Sequence, residues 1–215
     1  MNELEFIKEL KLLNIEASEE QLKVLSKYYN FLVKYNEHTN ITSILNKEDV
    51  YLKHFYDSLT ITKIVNLKEV NNVLDIGSGG GFPGLVLKIF YPNINLYVLD
   101  SNNKKIKFLE ELSNHLNIKI NLIHDRAEEY SKKTNIKFDL ITARAVSKLS
   151  NLLDITNNYI NKNNMFIAMK GRVSREIKDS KKCFFKNKLV IDKKIEFNLP
   201  NDQGYRTLLK ITRKD

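Results

Sequence analysis

Cysteine is almost absent from this chain of 215 residues, and several other features are missing. The single cysteine, Cys183, cannot form an internal disulfide, and no cluster of cysteine and histidine has the spacing of metal ligands. No apolar run reaches the length that a bilayer crossing requires. The first residues, Met1 to Glu5, are acidic and lack an apolar signal region. We therefore expect a cytoplasmic protein with no membrane segment, no secretory signal and no metal.

Positive charge is concentrated in the second half of the chain. Residues 1–100 carry 10 basic and 13 acidic side chains, net −3, whereas residues 101–215 carry 25 basic and 13 acidic side chains, net +12. All six arginines lie in the second half: Arg126, Arg144, Arg172, Arg175, Arg206 and Arg213. A one-sided basic surface suits a polyanion such as RNA. Drift toward AT-rich codons also enriches lysine, so charge alone leaves the partner open.

The hydrophobic pattern changes near residue 70. Helical periodicity predicts helices over residues 1–13, from Ser18 onward with a capping box to Gln21, and over residues 48–65. Short apolar runs then alternate with helical segments. The predicted strands cover residues 73–76, 94–99, 118–123, 138–142, 165–169, 188–197 and 205–212, and the later helices cover residues 83–90, 102–116, 149–160 and 172–185. This alternation indicates a doubly wound, mostly parallel α/β sheet in residues 69–215, preceded by a helical cap in residues 1–68.

Five of the seven glycines lie in one loop, at positions 77, 79, 80, 81 and 84. The loop follows the first predicted strand and precedes a helix that begins near Pro83. Glycines let a backbone turn tightly and approach a ligand closely, and proline is favoured in the first turn of a helix. In an open α/β sheet, ligands bind at the carboxyl ends of the strands. The loop therefore predicts a ligand site.

Three ligands compete for this loop. A P-loop needs lysine and a hydroxyl residue after its last glycine, but Leu85 follows Gly84 here. A dinucleotide motif, G-x-G-x-x-G, fits residues 79–84, with Asp100 available for a ribose, but it leaves Asp75 unexplained inside an apolar strand. The pattern D-x-G-x-G-x-G over residues 75–81 uses that acid. It resembles motif I of class I S-adenosylmethionine (SAM)-dependent methyltransferases, although a nicotinamide oxidoreductase stays open.

The residues near the other strand ends narrow the methyl acceptor. Arg144 follows the fourth main strand, and arginine is the usual partner of guanine O6 and N7, although it also holds phosphates. That strand lacks the Asp/Asn-Pro-Pro-aromatic run of amino-methylating enzymes, and Cys183 does not suit the nucleophile of cytosine-C5 chemistry. A ring nitrogen such as guanine N7 needs alignment rather than a base. The cluster of His54, Asp57 and Ser58 suits a polar wall near the acceptor better than a hydrolase triad.

Several segments together resemble one family. They are, in chain order, Asn40-Ile41-Thr42-Ser43, His54-Phe55-Tyr56-Asp57-Ser58-Leu59, the loop from Leu74 to Gly84, Ala143-Arg144-Ala145 and Met169-Lys170-Gly171. Over essentially its whole length the chain is similar to the RsmG (GidB) family of bacterial 16S rRNA guanine-N7 methyltransferases. Gly80 departs from the family, in which proline or alanine is common at that position.

The resemblance implies a Rossmann-like class I methyltransferase sheet, mostly parallel with an antiparallel closing strand, and a helical N-terminal extension. It implies transfer of methyl from SAM, giving S-adenosylhomocysteine, to one guanine in the decoding region of 16S rRNA. The expected partner is 16S rRNA within a 30S subunit or its precursor, and we expect a monomer. Alternatives are methylation of another RNA or a small molecule, a nicotinamide oxidoreductase, and an RNA-binding protein that keeps the pocket without turnover.

The motifs and the resemblance together predict three groups of site residues. The catalytic group is Arg144, His54 and Asn40. The cofactor-binding group is Asp75, Gly77, Gly79, Phe82, Asp100, Ala127, Glu128 and Arg144. The RNA-binding group is Asn40, His54, Arg126, Lys170 and Arg206.

Overall fold

The computed structural model describes residues 1–214. Its first third is helical, as the sequence predicts. The elements are α1 (Glu3–Leu12), α2 (Glu19–Asn36), α3 (Lys47–Val50), a π-helical segment (Tyr51–Tyr56), α4 (Asp57–Leu59) and two 3₁₀ turns (Thr60–Lys63 and Leu67–Glu69). Ser18 caps α2 and forms the predicted capping box with Gln21. In residues 1–214, none of the helices combines the length and hydropathy that a bilayer crossing requires.

The rest of the chain forms a seven-stranded sheet with helices on both faces. The strands are β1 (Asn72–Ile76), β2 (Asn95–Asp100), β3 (Asn121–His124), β4 (Leu140–Arg144), β5 (Met165–Lys170), β6 (Leu189–Asn198) and β7 (Tyr205–Arg213). The helices are α5 (Gly84–Phe90), α6 (Asn103–Leu116), α7 (Ala127–Lys133), α8 (Leu149–Thr156), α9 (Ser174–Asp179) and α10 (Lys181–Lys186). The strand order is β3-β2-β1-β4-β5-β7-β6, and β7 alone runs antiparallel to the other six strands. The predicted fold class is confirmed.

Several predicted elements differ in detail. The strand predicted over residues 138–142 lies at Leu140–Arg144, and the helix predicted over residues 149–160 ends at Thr156. The helix predicted over residues 48–65 is broken by the π-helical segment, which has no marker in the sequence. The helix predicted over residues 172–185 is two helices, because the Ser180 hydroxyl donates to the Glu176 carbonyl at the junction, a bond that bends helices. The third strand begins at Asn121 rather than at residue 118.

Successive residues of the strands supply two hydrophobic clusters, one on each face of the sheet. On one face Val73 and Val98 join a cluster that includes Tyr28 and Phe55 from the N-terminal helices. On the other face Leu74 packs in a second cluster with residues of β4, β5 and α8. Because side chains alternate along a strand, this division follows from the apolar runs of the sequence. The N-terminal helices therefore cover one face of the sheet.

Candidate functional site

The carboxyl ends of four parallel strands meet at one edge of the sheet. In register, Ile76 of β1 lies beside Leu99 of β2 and Ala143 of β4, and Arg144 pairs with Met169 of β5. The strand order reverses direction between β1 and β4, which is where ligands bind in such sheets. The glycine loop, Gly77 to Gly84, starts at this point.

Asp75, near the end of β1, binds the glycine loop through hydrogen bonds. Its carboxylate is fully buried and accepts hydrogen bonds from the Ser78 hydroxyl and, at 2.8 Å, from the Gly84 backbone N–H. A Cβ at Gly84 would lie 2.7 Å from this carboxylate, so only glycine fits there. Burial raises the pKa of Asp75 to about 6, although the two hydrogen bonds oppose this shift. The acid that the dinucleotide motif leaves unexplained therefore holds the loop in shape.

A cavity of about 420 Å³ opens between the glycine loop and the ends of β2 and β3; we call it the donor cavity. Gly77, with φ of 67°, forms its floor, and a Cβ at this residue would lie 2.7 Å from the side chain of Val146. The buried Asp100 carboxylate accepts from Gly79 N–H at 3.1 Å and Asn102 N–H at 2.9 Å. The first residues of α7, Ala127 and Glu128, close the far side of the cavity.

A second cavity of about 400 Å³ lies on the other side of Ala145; we call it the acceptor cavity. Both cavities share Ala145, whose φ is 55°. The wall of the acceptor cavity is rich in cations, namely Lys53, Arg144, Lys170 and Arg206. Lys170 is paired with Glu176 at 2.9 Å.

Arg144 is held on several sides. Its Nη1 donates to the Lys53 carbonyl at 3.1 Å and to Asp57 Oδ2 at 3.2 Å, and its Nη2 donates to His54 Nδ1 at 3.3 Å. The guanidinium also lies 5.1 Å from the centre of the Phe82 ring. Burial lowers the pKa of Arg144, and the carboxylates of Asp57 and Asp75 oppose that shift. The side chain is fixed in one orientation before any substrate arrives.

Asp57 joins two arginines. Its Oδ1 accepts from Arg206 Nε at 2.9 Å while its Oδ2 accepts from Arg144, and the carboxylate is only 4% exposed. Asp57 follows the π-helical segment directly, and π-helical turns are frequent at functional sites. The local structure therefore brings two cations, 62 residues apart in sequence, to one wall of the acceptor cavity.

His54 is buried and lies in an aromatic stack. Its ring stacks on Phe82 at 4.3 Å, and Phe82 stacks in turn on Tyr28 at 5.5 Å. Burial, helped by the charge of Arg144, lowers the pKa of His54 to about 3. Since Nδ1 accepts from Arg144, Nε2 carries the proton and donates to the Thr42 hydroxyl at 3.0 Å. The imidazole is therefore neutral at pH 7.

The predicted site residues fall into three places. The donor cavity is lined by Gly77, Asp100, Ala127, Glu128 and Arg126. The acceptor cavity is lined by His54, Arg144, Lys170 and Arg206. Four predicted site residues line neither cavity: Asp75, Gly79, Phe82 and Asn40.

These four residues have different surroundings. Asp75 accepts from the loop backbone at Gly84, and Phe82 stacks on Tyr28 of α2. The N–H of Gly79 donates to Asp100. Asn40 is exposed, two residues from Thr42. Arg144, predicted in both roles, lines only the acceptor side. The direct cofactor and RNA contacts of these residues stay predictions.

The comparison with known sequences decides the family. Residues 21–202 match the sequence profile described as rRNA small subunit methyltransferase G. A protein of that name from Macrococcus caseolyticus is 38% identical over 218 residues, which covers 100% of this chain and 91% of the relative. Its namesake from Bacillus subtilis is 37% identical over 217 residues, with coverages of 99% and 91%.

The chain belongs to the rRNA small subunit methyltransferase G family. It is therefore a SAM-dependent rRNA methyltransferase. Membership of this family rules out the alternative function of a nicotinamide oxidoreductase, which the glycine pattern leaves open.

Solved structures show the same fold as this member of the rRNA small subunit methyltransferase G family. The ribosomal protein L11 methylase of Lactobacillus delbrueckii subsp. bulgaricus superposes with a TM-score of 0.57 at 18% identity, covering 76% of this chain and 79% of that one. TrmK of M. capricolum, in complex with S-adenosylhomocysteine, gives a TM-score of 0.58 at 17% identity, with coverages of 74% and 68%. At such identities the likeness shows the fold alone.

The donor cavity fits the cofactor of the rRNA small subunit methyltransferase G family. Because Gly77 has no side chain, the space beside Val146 stays open for a ligand. Asp100 provides a buried carboxylate that can accept hydrogen bonds from hydroxyl groups. Ala127 and Glu128, whose N–H groups begin α7 and lack intrahelical partners, line the same space. In the part of the chain from Met1 to Lys214, no group of three or more His, Cys, Asp and Glu side chains has the arrangement of a metal site.

Several residues of this rRNA small subunit methyltransferase G site escaped the sequence analysis. Lys105 lines the donor cavity, and Glu176 lines the acceptor cavity. Tyr28 donates to the Gly80 carbonyl from α2. Asp57 belongs to the predicted polar wall, but its bond to Arg206 spans 149 residues and has no sequence signal. Its only marker was its position three residues after His54.

Proposed function

We propose that the chain transfers a methyl group from SAM to N7 of one guanine in the decoding region of 16S rRNA. The observation that carries the proposal is the pair of cavities that share Ala145: one is shaped by glycines and a buried carboxylate, and the other is walled by cations. The two reactants would approach each other across this residue. Membership of the rRNA methyltransferase family supports the substrate class.

The donor cavity would hold SAM. Asp100 would accept hydrogen bonds from the ribose hydroxyls, and the N–H groups of Ala127 and Glu128 would face the adenine edge. The glycine backbone at Gly77, kept in place by Asp75, would allow the methionine part to lie close to the loop. When bound, SAM supplies an electrophilic methyl group. The apolar side chains of Leu99, Val146 and Ile155, which also line the cavity, would exclude water from it.

The acceptor cavity suits a guanine that needs no deprotonation. The titratable side chains of the cavity are not free to accept a proton from a substrate. His54 is neutral and hydrogen-bonded through its ring nitrogens, Asp57 is bound to two arginines, and Glu176 is bound to Lys170. N7 carries a lone pair and no proton, so a free general base has no role. Arg144 would hold the O6/N7 edge through donors that its contacts within residues 1–214 leave open. The site would act by alignment and fixed charge.

The proposal also covers the particle that carries the rRNA, the oligomeric state of the enzyme and its location. We expect the enzyme to act as a cytoplasmic monomer on a 30S subunit or its precursor, because the decoding region takes its shape in that particle. The net charge of +12 in residues 101–215 would draw the enzyme to the phosphate backbone. Arg126, Lys170 and Arg206 stay the predicted RNA contacts, together with Asn40 and His54.

Methyl transfer to 30S subunits from cells that lack the gene tests the proposal. With tritiated SAM, the label is expected on one guanine of 16S rRNA, and mass mapping identifies the position. Arg144→Ala is expected to reduce turnover by at least 100-fold, the scale of removing one aligned donor, while affinity for S-adenosylhomocysteine changes little. Arg175→Ala is the matched control, because Arg175 is 96% exposed. Label on another base, or full activity of Arg144→Ala, would refute the assignment.

A further inference from the structure

An arginine at the mouth of the acceptor cavity lies on an aromatic ring. The Arg172 guanidinium lies 4.5 Å from the centre of the Tyr205 ring. Arg172 follows Lys170 and Gly171, which line the acceptor cavity, and Tyr205 precedes Arg206, which lines it too. A Cβ at Gly171 would lie 3.9 Å from the Tyr205 carbonyl, so the two backbone segments are neighbours. The stacked pair therefore stands at the edge of the cavity.

Arg172 has no acidic partner. The side chain is exposed, and across residues 1–214 its guanidinium makes neither a hydrogen bond nor an ion pair. The nearest acids in sequence and space are engaged elsewhere: Glu176 binds Lys170 and the Leu149 N–H, and Glu196 binds Lys194 at 2.6 Å. One face of the guanidinium lies on Tyr205, and its edge retains its donors.

The ring below the guanidinium is well supported. Tyr205 begins β7, where it pairs with Asn198 of β6. A hydrogen bond with Glu196 raises the pKa of the Tyr205 phenol, which places that carboxylate beside the hydroxyl. The platform is therefore anchored at the backbone by the pairing of β7 with β6. Unstacked RNA bases bind proteins by stacking on guanidinium planes as well as on aromatic rings. The Arg172–Tyr205 pair offers a flat, cationic surface of this kind.

We propose that Arg172 and Tyr205 form a subsite for a nucleotide next to the target guanosine, whose base stacks on the open face of the Arg172 guanidinium. The inference rests on the proposed function, because it places a second nucleotide beside a guanosine in the acceptor cavity. The stack holds that nucleotide out of its own helix, and the target guanosine enters the cavity beside it. Lysine cannot replace Arg172 in this role, since an ammonium has no plane.

Steady-state methyl transfer to 30S subunits that lack the modification tests the subsite. Arg172→Ala is expected to raise KM for the particle between about 5-fold and 100-fold, the range of losing one stacked base. Arg172→Lys keeps the charge and is expected to leave KM at least about threefold above that of the wild type. Arg175→Ala removes another exposed arginine from the same segment and is expected to stay within about twofold.

Variants of the ring separate stacking from charge. Tyr205→Phe keeps the ring and is expected to behave nearly as the wild type, whereas Tyr205→Leu is expected to raise KM as Arg172→Ala does. The double variant Arg172→Ala/Tyr205→Leu is expected to be no worse than either single variant, because both remove the same platform. Affinity for S-adenosylhomocysteine, measured by calorimetry, is expected to be unchanged in all of them, which shows that each variant is folded.

Two results would overturn the subsite. One is an unchanged KM in Arg172→Ala, and the other is full recovery in Arg172→Lys with a salt dependence equal to that of the wild type, which would indicate a simple phosphate contact. Failure of the wild-type enzyme to methylate the particle is a separate outcome. It would overturn the proposed function, and the subsite with it.

Discussion

Asp57 is the residue on which the acceptor wall depends most directly. One buried carboxylate binds Arg144 through one oxygen and Arg206 through the other. Removing one partner of such a buried group leaves charges uncompensated, whereas exposed pairs contribute little. The two arginines would otherwise repel each other at the same wall. Asp57 is therefore a positioning residue for both.

Asp57→Asn tests this role because the amide keeps the shape and loses the charge. We expect a loss of about 3 kcal/mol in the free energy of unfolding and a fall in methyl transfer of at least 10-fold, with affinity for S-adenosylhomocysteine retained. Urea unfolding, calorimetry and turnover measure these three quantities. Asp49→Asn, which breaks the surface pair with Lys53, is the stability control and should cost less than about 1 kcal/mol. Equal stability of the two variants would contradict the assignment.

The buried imidazole of His54 predicts a dependence of stability on pH. Its pKa is lowered from 6.5 to about 3 by burial, so between these values the unfolded chain binds a proton that the folded chain does not. Stability from this group is complete above pH 6.5 and is lost as pH falls toward 3, on the order of 5 kcal/mol in total. Asp75 acts in the opposite direction, since its raised pKa of about 6 favours the folded state as pH falls from 6 to 4.

His54→Asn isolates the imidazole contribution, because Asp75 is common to both proteins. We compare the free energy of unfolding of the wild type with that of His54→Asn. The difference between the two is expected to decrease steadily from pH 7 to pH 4. Urea unfolding at intervals of half a pH unit measures it. A difference that does not vary with pH would mean that the imidazole titrates normally in the folded protein.

At the scale of elements, α2 supports the glycine loop across the fold. Tyr28 is fully buried, donates to the Gly80 carbonyl and stacks on Phe82 with an interplanar angle of 3°. A Cβ at Gly81 would lie 2.5 Å from the Tyr28 hydroxyl, so the loop and the helix are in close contact. The shape of the donor cavity therefore depends on a helix that does not line it.

Tyr28→Phe removes the hydroxyl and keeps the stack. Losing the hydrogen bond leaves the buried Gly80 carbonyl unpaired, and we expect affinity for S-adenosylhomocysteine to fall about 3- to 10-fold. Tyr29→Phe is the matched control, because the Tyr29 hydroxyl donates to the Leu45 carbonyl in an exposed position. Calorimetry on both variants compares the two affinities. If the affinities agree, the loop does not need the helix for its shape.

Local patterns in the sequence predicted most elements, and contacts between distant elements explain what was missed. Apolar runs and the Ser18 capping box depend on neighbouring residues, so they can be read from the chain. The π-helical segment has no such marker, because its geometry follows from packing and from the bonds to Arg144. Phe82 illustrates the limit for the site: the family resemblance implies a cofactor contact for this residue, whereas its stacking on Tyr28 and His54 joins distant elements and has no local signal in the sequence.

At the scale of the whole molecule, the helical segment and the sheet share one hydrophobic cluster. Tyr28 and Phe55 of the first 68 residues pack in the same cluster as Leu85, Val98 and Leu109 of the remainder. The acceptor wall also draws on both parts, since Asp57 binds two arginines of the second part. The boundary at residue 68 stays a prediction from the sequence, and we expect the two parts to depend on each other for stability.

Such a shared core predicts a single cooperative unfolding transition. Urea curves followed by circular dichroism and by tyrosine fluorescence are expected to coincide, because neither part retains a sufficient core when the other unfolds. A fragment of residues 69–215 would expose the apolar face that Tyr28 and Phe55 cover, so it is expected to aggregate or stay unfolded and to bind no S-adenosylhomocysteine. Two separated transitions, or a folded fragment that binds this ligand, would show instead that the glycine loop keeps its shape without α2.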